Sequence, residues 1–132
     1  MNIDTSSVTV FEAFVAATAR WPDNAFFHAP KSATRAYCDS SVDWRYEQAC
    51  AEVRQLAAQY AEGGLRPGHR VALILGNRAE LFLHFLALNS LRVSIVPLNG
   101  EATPQEIAFI LGDSEAAAVV ALPESDRLLQ EA

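Results

Sequence analysis

Val71-Ala72-Leu73-Ile74-Leu75 is the stretch that decides the fold. An unbroken apolar run with β-branched members does not alternate, so it does not read as a strand with one face in water; it reads as a strand buried on both faces of a parallel sheet. Val93 to Val96 and Ala117 to Leu122 have the same character. Between the three runs lie helical patterns, Arg78 to Leu91 and Pro104 to Leu111. Strand, helix, strand, helix, strand in this order gives two crossover units, which are almost always right-handed. The expected fold is therefore α/β, a partial parallel βαβαβ sheet with flanking helices.

Working toward the N-terminus, Val10 to Arg20 carries Phe11, Phe14 and Val15 at helical spacing, with Ser7 or Thr9 to cap it and Trp21-Pro22 to stop it. Ala25 to Ala29 and Arg35 to Cys38 read as short strands around Pro30-Lys31-Ser32, paired as a small hairpin. Tyr46 to Glu62 reads as an amphipathic helix through Ala49, Val53, Leu56, Ala57 and Tyr60. Gly63-Gly64 ends it, because glycine tolerates the left-handed conformation common after helix ends. These glycines are punctuation; a phosphate cradle would need a strand before them and a helix after.

Two helix starts carry a capping side chain three residues before a Glu: Asn77-Arg78-Ala79-Glu80 and Thr103-Pro104-Gln105-Glu106, the second with proline at the first helical position. The helix after Asn77 is apolar on nearly every side through Leu81, Phe82, Leu83, Phe85, Leu86 and Leu88, so it needs more than one covering layer. The expectation is an exposed apolar patch there, filled by a second copy or by further polypeptide. The run Leu81 to Leu88, broken by His84, is far short of the ~20 residues of a membrane-spanning helix.

The chain has 132 residues, 51% of them hydrophobic, enough for one compact core and short for two. Residues 1–132 are expected to form one α/β unit. A formal charge of −6 opposes attraction to nucleic acid or an anionic membrane, and neither partner is expected. Cys38 and Cys50 lack metal-ligand spacing, and His28, His69 and His84 are scattered; no metal site is expected. With no charged-then-apolar leader in view, a reducing cytoplasm is the expected compartment.

In an open parallel sheet, ligands bind beyond the carboxyl ends of the strands. That geometry nominates Asn77, Asn99 and Pro123-Glu124-Ser125 as binding candidates. The first two also have a structural explanation: Asn77 as a helix cap, Asn99-Gly100 as a turn dipeptide. Trp44 and Tyr46 read as core-filling aromatics rather than a binding platform. No catalytic residue is assigned, because neither a Ser/His/Asp set, nor paired carboxylates, nor a glycine-rich phosphate loop is legible.

Three segments resemble the adenylate-forming acyl-CoA synthetases: Trp44 to Gln48, Gly64 to Phe82, and Leu88 to Asn99. Thr103-Pro104-Gln105-Glu106-Ile107 and Leu111 to Glu115 follow in the same series. The resemblance runs from about Val8 to Val120 and implies the front of that family's large N-terminal domain. It implies a parent that activates a carboxylic acid with ATP and Mg²⁺ to an acyl-adenylate and passes it to coenzyme A. The family's threonine- and glycine-rich ATP loop and its catalytic lysine have no counterpart here, so the resemblance implies a scaffold segment inactive alone, with no cofactor of its own. Its implied partner is the rest of a synthetase chain, or a second copy through the helix around Leu81–Leu88. Two other readings stay open: a stand-alone interaction or dimerisation module, and part of an enzyme that loads a carrier protein.

The chain departs from the family at Arg45 and Gln48, where Ser or Thr and Glu are usual, with Asp43 a candidate replacement cap. His69 stands where Asp is common, and Arg92 stands at a helix–strand junction that usually has glycine. If the backbone at Arg92 has positive φ, arginine costs roughly 1–2 kcal/mol relative to glycine.

Overall fold

The computed structural model describes residues 9–31, 41–76 and 78–132. The elements run α1 (Val10–Arg20), β1 (Ala25–Ala29), β2 (Val42–Arg45), α2 (Tyr46–Glu62), β3 (Arg70–Ile74), α3 (Glu80–Ser90), β4 (Ser94–Pro97), α4 (Pro104–Ser114), β5 (Ala118–Ala121) and α5 (Asp126–Glu131). A 3₁₀ turn, Pro123–Ser125, joins the last two.

The α/β expectation is met: β3, β4 and β5 form a parallel sheet in the order β4-β3-β5. The registers are Val71 opposite Ile95 and Val71 opposite Ala118. The central strand alternates between two cores. Val71, Leu73 and Leu75 pack with Leu88 of α3 and Val93, while Ala72 and Ile74 pack with Ile107 of α4 and Leu98. The two crossover helices thus lie on opposite faces, as two right-handed crossovers require when the second passes back over β3. The unbroken run from Val71 to Leu75 is explained by this two-sided burial.

Thr9 caps α1 with a complete capping box, its hydroxyl accepting the Glu12 N–H and the Glu12 carboxylate accepting the Thr9 N–H. The same reciprocal pair joins Thr103 and Glu106 at α4, which extends to Ser114, three residues beyond the expected end. At α2 half of the box survives: Gln48 Oε1 accepts the Arg45 N–H at 3.1 Å, and a guanidinium has no lone pair to return the favour. Asp43 does not replace the missing cap, because its carboxylate pairs with His28 across the hairpin.

Three expectations are corrected. The partner of β1 is Val42–Arg45, a segment not expected to be a strand, with Trp44 inside it; the expected strand Arg35 to Cys38 lies outside the described residues. Helix α3 starts at Glu80, with Ala79 as an N-cap lacking a side-chain bond. Glu80 is therefore the first helical residue, not the third, and the chain enters α3 through short-range bonds from the Leu81 N–H to Arg78 O and from the Phe82 N–H to Ala79 O. Asn77, the expected cap, lies outside the described residues.

The third correction concerns the cover of α3. Leu83, Leu86 and Ala87 pack with Phe14 of α1 and Ala49, Cys50 and Val53 of α2, and Leu88 faces the sheet. Both covering layers are supplied within the chain. Of the apolar residues on α3, Phe82 is the one left largely open, 49% exposed and 5.4 Å from the Phe27 ring. Trp44 and Tyr46 fill the helical core as expected, Tyr46 within 5.9 Å of Phe14 and 5.2 Å of Phe26.

Candidate functional site

Strands β3 and β4 end side by side, and α3 rises directly after β3, so their carboxyl ends and the first turn of α3 leave a gap. Leu73, Leu75, Gly76, Leu81, Pro97, Leu98, Asn99 and Gly100 line a cleft of about 380 Å³ there. Its position is the one expected for ligands of open α/β sheets. The walls are apolar side chains and main chain. Asn99 is the single polar side chain among the lining residues.

Asn99 Oδ1 accepts the Glu101 N–H at 3.0 Å, and the Asn99 carbonyl accepts the Ala102 N–H at 3.1 Å. The turn role read from Asn-Gly and the strand-end position therefore coincide in one residue. At the end of β3 the chain turns through Gly76 at φ 63, a conformation in which glycine carries no steric penalty. Pro123–Ser125 sits after β5, and Glu124 accepts from Arg78 at 3.0 Å, tying the segments that follow β3 and β5.

The histidines are held apart in three unrelated bonds. His28 pairs with Asp43. His69 Nδ1 accepts the Arg66 N–H at 3.0 Å within the Pro67-Gly68 turn. His84 Nδ1 lies 2.5 Å from the Tyr60 hydroxyl between α3 and α2. Among the described residues no group of three or more His, Cys, Asp or Glu converges as a metal site would require.

Burial pushes the Tyr60 phenol up to about 12. Burial also lowers the His84 pKa, partly opposed by the Glu80 carboxylate. The Arg78–Glu124 tie and the Tyr60–His84 pair went unread in the sequence. A polar tip on the apolar face of α2 and a histidine interrupting an apolar run were the available signals for the second; the first joins residues 46 positions apart and left none. The cleft can seat an apolar group beside one amide. Among the described residues that line it no side chain is ionisable, so these supply neither an acid, nor a base, nor a nucleophile.

The model of the family described as AMP-binding enzyme matches residues 14–132, and the chain belongs to that family. The 2-succinylbenzoate–CoA ligase of Enterococcus faecalis is 32% identical over 96 residues, 73% of this chain and 20% of the ligase. The oxalate–CoA ligase of Arabidopsis thaliana is 35% identical over 72 residues, 54% of this chain and 14% of that protein. The chain thus spans about a fifth or less of the curated relatives it matches. The N-terminal domain of FACL13 from Mycobacterium tuberculosis shares the fold with a TM-score of 0.81 at 22% identity, covering 94% of this chain and 30% of that one. The fold is that of an N-terminal segment of the adenylate-forming ligases. Among the described residues no helix is long and apolar enough to cross a membrane.

Proposed function

We propose that the chain is the scaffold segment of an ATP-dependent acid–thiol ligase, in which a carboxylate attacks ATP to give acyl-AMP and pyrophosphate and a thiol then displaces AMP. The observation that carries the reading is the family match over residues 14–132, laid on a β4-β3-β5 sheet with an uncharged strand-end cleft. ATP, Mg²⁺ and coenzyme A belong, on this reading, to the longer enzyme.

The cleft itself does not fit them. Among the described residues that line it, Asn99 Oδ1 is the one side-chain oxygen and accepts from Glu101, and no Lys or Arg stands there to balance a triphosphate. Adenylyl transfer is chiefly positioning and electrostatic stabilisation by cations and donors, so those groups come from other polypeptide. The segment holds sheet and loops in place and performs no chemical step. Its partner is the rest of a synthetase chain, and its setting is the cytoplasm, a reading supported by the free, buried thiol of Cys50.

Two assays test this. The 132-residue chain alone, given ATP and oxalate, 2-succinylbenzoate or a fatty acid, is expected to show pyrophosphate exchange at background; exchange above background overturns the proposal. A chimera in which residues 14–132 replace the matching segment of the Enterococcus ligase is expected to regain exchange, and a folded but silent chimera counts equally against it.

A further inference from the structure

Asn24, Asn89 and Asn99 are the asparagines among the described residues, and each meets a different neighbour on its carboxyl side. Asn24 precedes Ala25, the first residue of β1, and its carbonyl accepts the Tyr46 N–H at 3.0 Å. Asn89 precedes Ser90 inside α3, and its Oδ1 is held by the Phe11 N–H at 2.9 Å. Asn99 precedes Gly100 just beyond β4, and both residues are exposed. A glycine nitrogen has no side chain to screen it, and even a Cβ built on Gly100 meets no atom within 4 Å. Among the described residues the Gly100 N–H donates to no acceptor.

The turn that holds Asn99 is local. The Glu101 N–H donates to Oδ1 at 3.0 Å, and the Ala102 N–H donates to the Asn99 carbonyl at 3.1 Å. The first bond keeps Cγ beside the Gly100 peptide and polarises its carbonyl toward attack. Both bonds must yield as the Asn99 main chain rotates to bring the Gly100 nitrogen to Cγ. They are the only restraint printed on that rotation, whereas Asn89 is fixed by a whole helix and by α1.

We infer that Asn99-Gly100 is a self-modifying site, at which the Gly100 main-chain nitrogen displaces the side-chain amide of Asn99 and leaves a carboxylate in the lining of the strand-end cleft. Water or hydroxide takes the proton from the Gly100 nitrogen, which attacks Asn99 Cγ. The new N–Cγ bond closes a succinimide ring, the Cγ–Nδ2 bond breaks, and Nδ2 takes up a proton and departs as ammonia. Water then opens the ring at either carbonyl. One opening gives aspartate; the other gives isoaspartate, whose main chain is longer by a methylene. One water is consumed, one ammonia is released, and nothing is oxidised or reduced. The described residues that line the cleft carry no charge before the reaction, so its product changes what the cleft can accept. The inference is independent of the ligase reading.

The test incubates the 132-residue chain at 37 °C and pH 7, 8 and 9, digests it with pepsin in acid, and maps each asparagine by mass spectrometry. Isoaspartate is read separately by enzymatic methylation. Expected are aspartate and isoaspartate at position 99, a rate that rises with pH because the attacking nitrogen must lose its proton, and intact Asn24 and Asn89 in the same sample. The chain unfolded in guanidinium gives the reference rate. Loosening two hydrogen bonds should make the folded chain slower by on the order of tenfold. A slowing of about a thousandfold or more, the rate left when only globally unfolded molecules react, would overturn the inference. So would an Asn99 that converts no faster than Asn24 or Asn89. Gly100→Ala has room for its methyl group and should convert several-fold more slowly than the wild type; equal rates would count against attack by the Gly100 nitrogen. The wild-type measurements need no variant and decide the matter if the substituted chain fails to fold.

Discussion

Helices α2 and α3 end in the same hydrogen-bond pattern and fill its critical position differently. In α2 the Leu65 N–H donates to Tyr60 O at 3.2 Å and the Gly64 N–H to Ala61 O at 3.1 Å. In α3 the Val93 N–H donates to Leu88 O and the Arg92 N–H to Asn89 O, both at 3.0 Å. Each is the paired closure that follows a left-handed residue. Gly64 meets it with φ 93 and no strain, whereas Arg92 meets it with φ 58. Helix α4 repeats the pattern with Glu115 at φ 52. The difference lies in the apolar clasp that accompanies the bonds. Leu88 and Val93 are buried in one cluster, whereas Tyr60 and Leu65 are only half-buried. At α3 a tight clasp accompanies the side chain, whereas at α4 Glu115 takes the same conformation with Leu111 and Ala116 only partly buried.

The comparison can be broken first at the clasp. Leu88 is fully buried, and Leu88→Ala should cost about 3 kcal/mol from lost transfer energy and the cavity left behind, seen as a lower midpoint in urea melts. A smaller loss is expected from Gly64→Ala, about 1 kcal/mol; an added Cβ meets no atom within 4 Å, so the cost is backbone conformation alone. The smallest effect has the opposite sign. Arg92→Gly should gain just under ~1 kcal/mol, strain relief less the greater freedom of glycine in the unfolded chain. Arg92→Ala should show no such gain; equal gains from both substitutions would trace the effect to the arginine side chain and remove the strain argument.

The sheet was legible because burial on both faces erases alternation, and the Val71 to Leu75 run shows that erasure directly. Strand limits slipped by one residue at β3 and β4, since an apolar run marks burial and not the first ladder bond. The start of α3 was misread for a related reason: Asn77 and Glu80 have capping-box spacing, but Glu80 became the first helical residue, leaving no third-position partner. Thr103 and Glu106 have the same spacing, and Pro104 fixes where the helix begins. The exposed patch expected on α3 assumed too few layers. The pattern of one helix cannot tell that α1 and α2 fold over it. At the cleft, the place of Asn99 just after β4 was legible because strand ends are nameable from sequence. Arg78–Glu124 and Tyr60–His84 were not, because pairings between distant segments depend on strand order and helix placement.

Asn89 of α3 reaches back to the opening turn of α1, its Oδ1 accepting the Phe11 N–H at 2.9 Å, 78 positions away in sequence. A chain emerging from the ribosome makes Phe11 long before Asn89. Helix α1 therefore waits, its leading turn lacking its tertiary acceptor, until β3 and nearly all of α3 have followed. Order of manufacture and order of completion run in opposite senses at this end of the molecule.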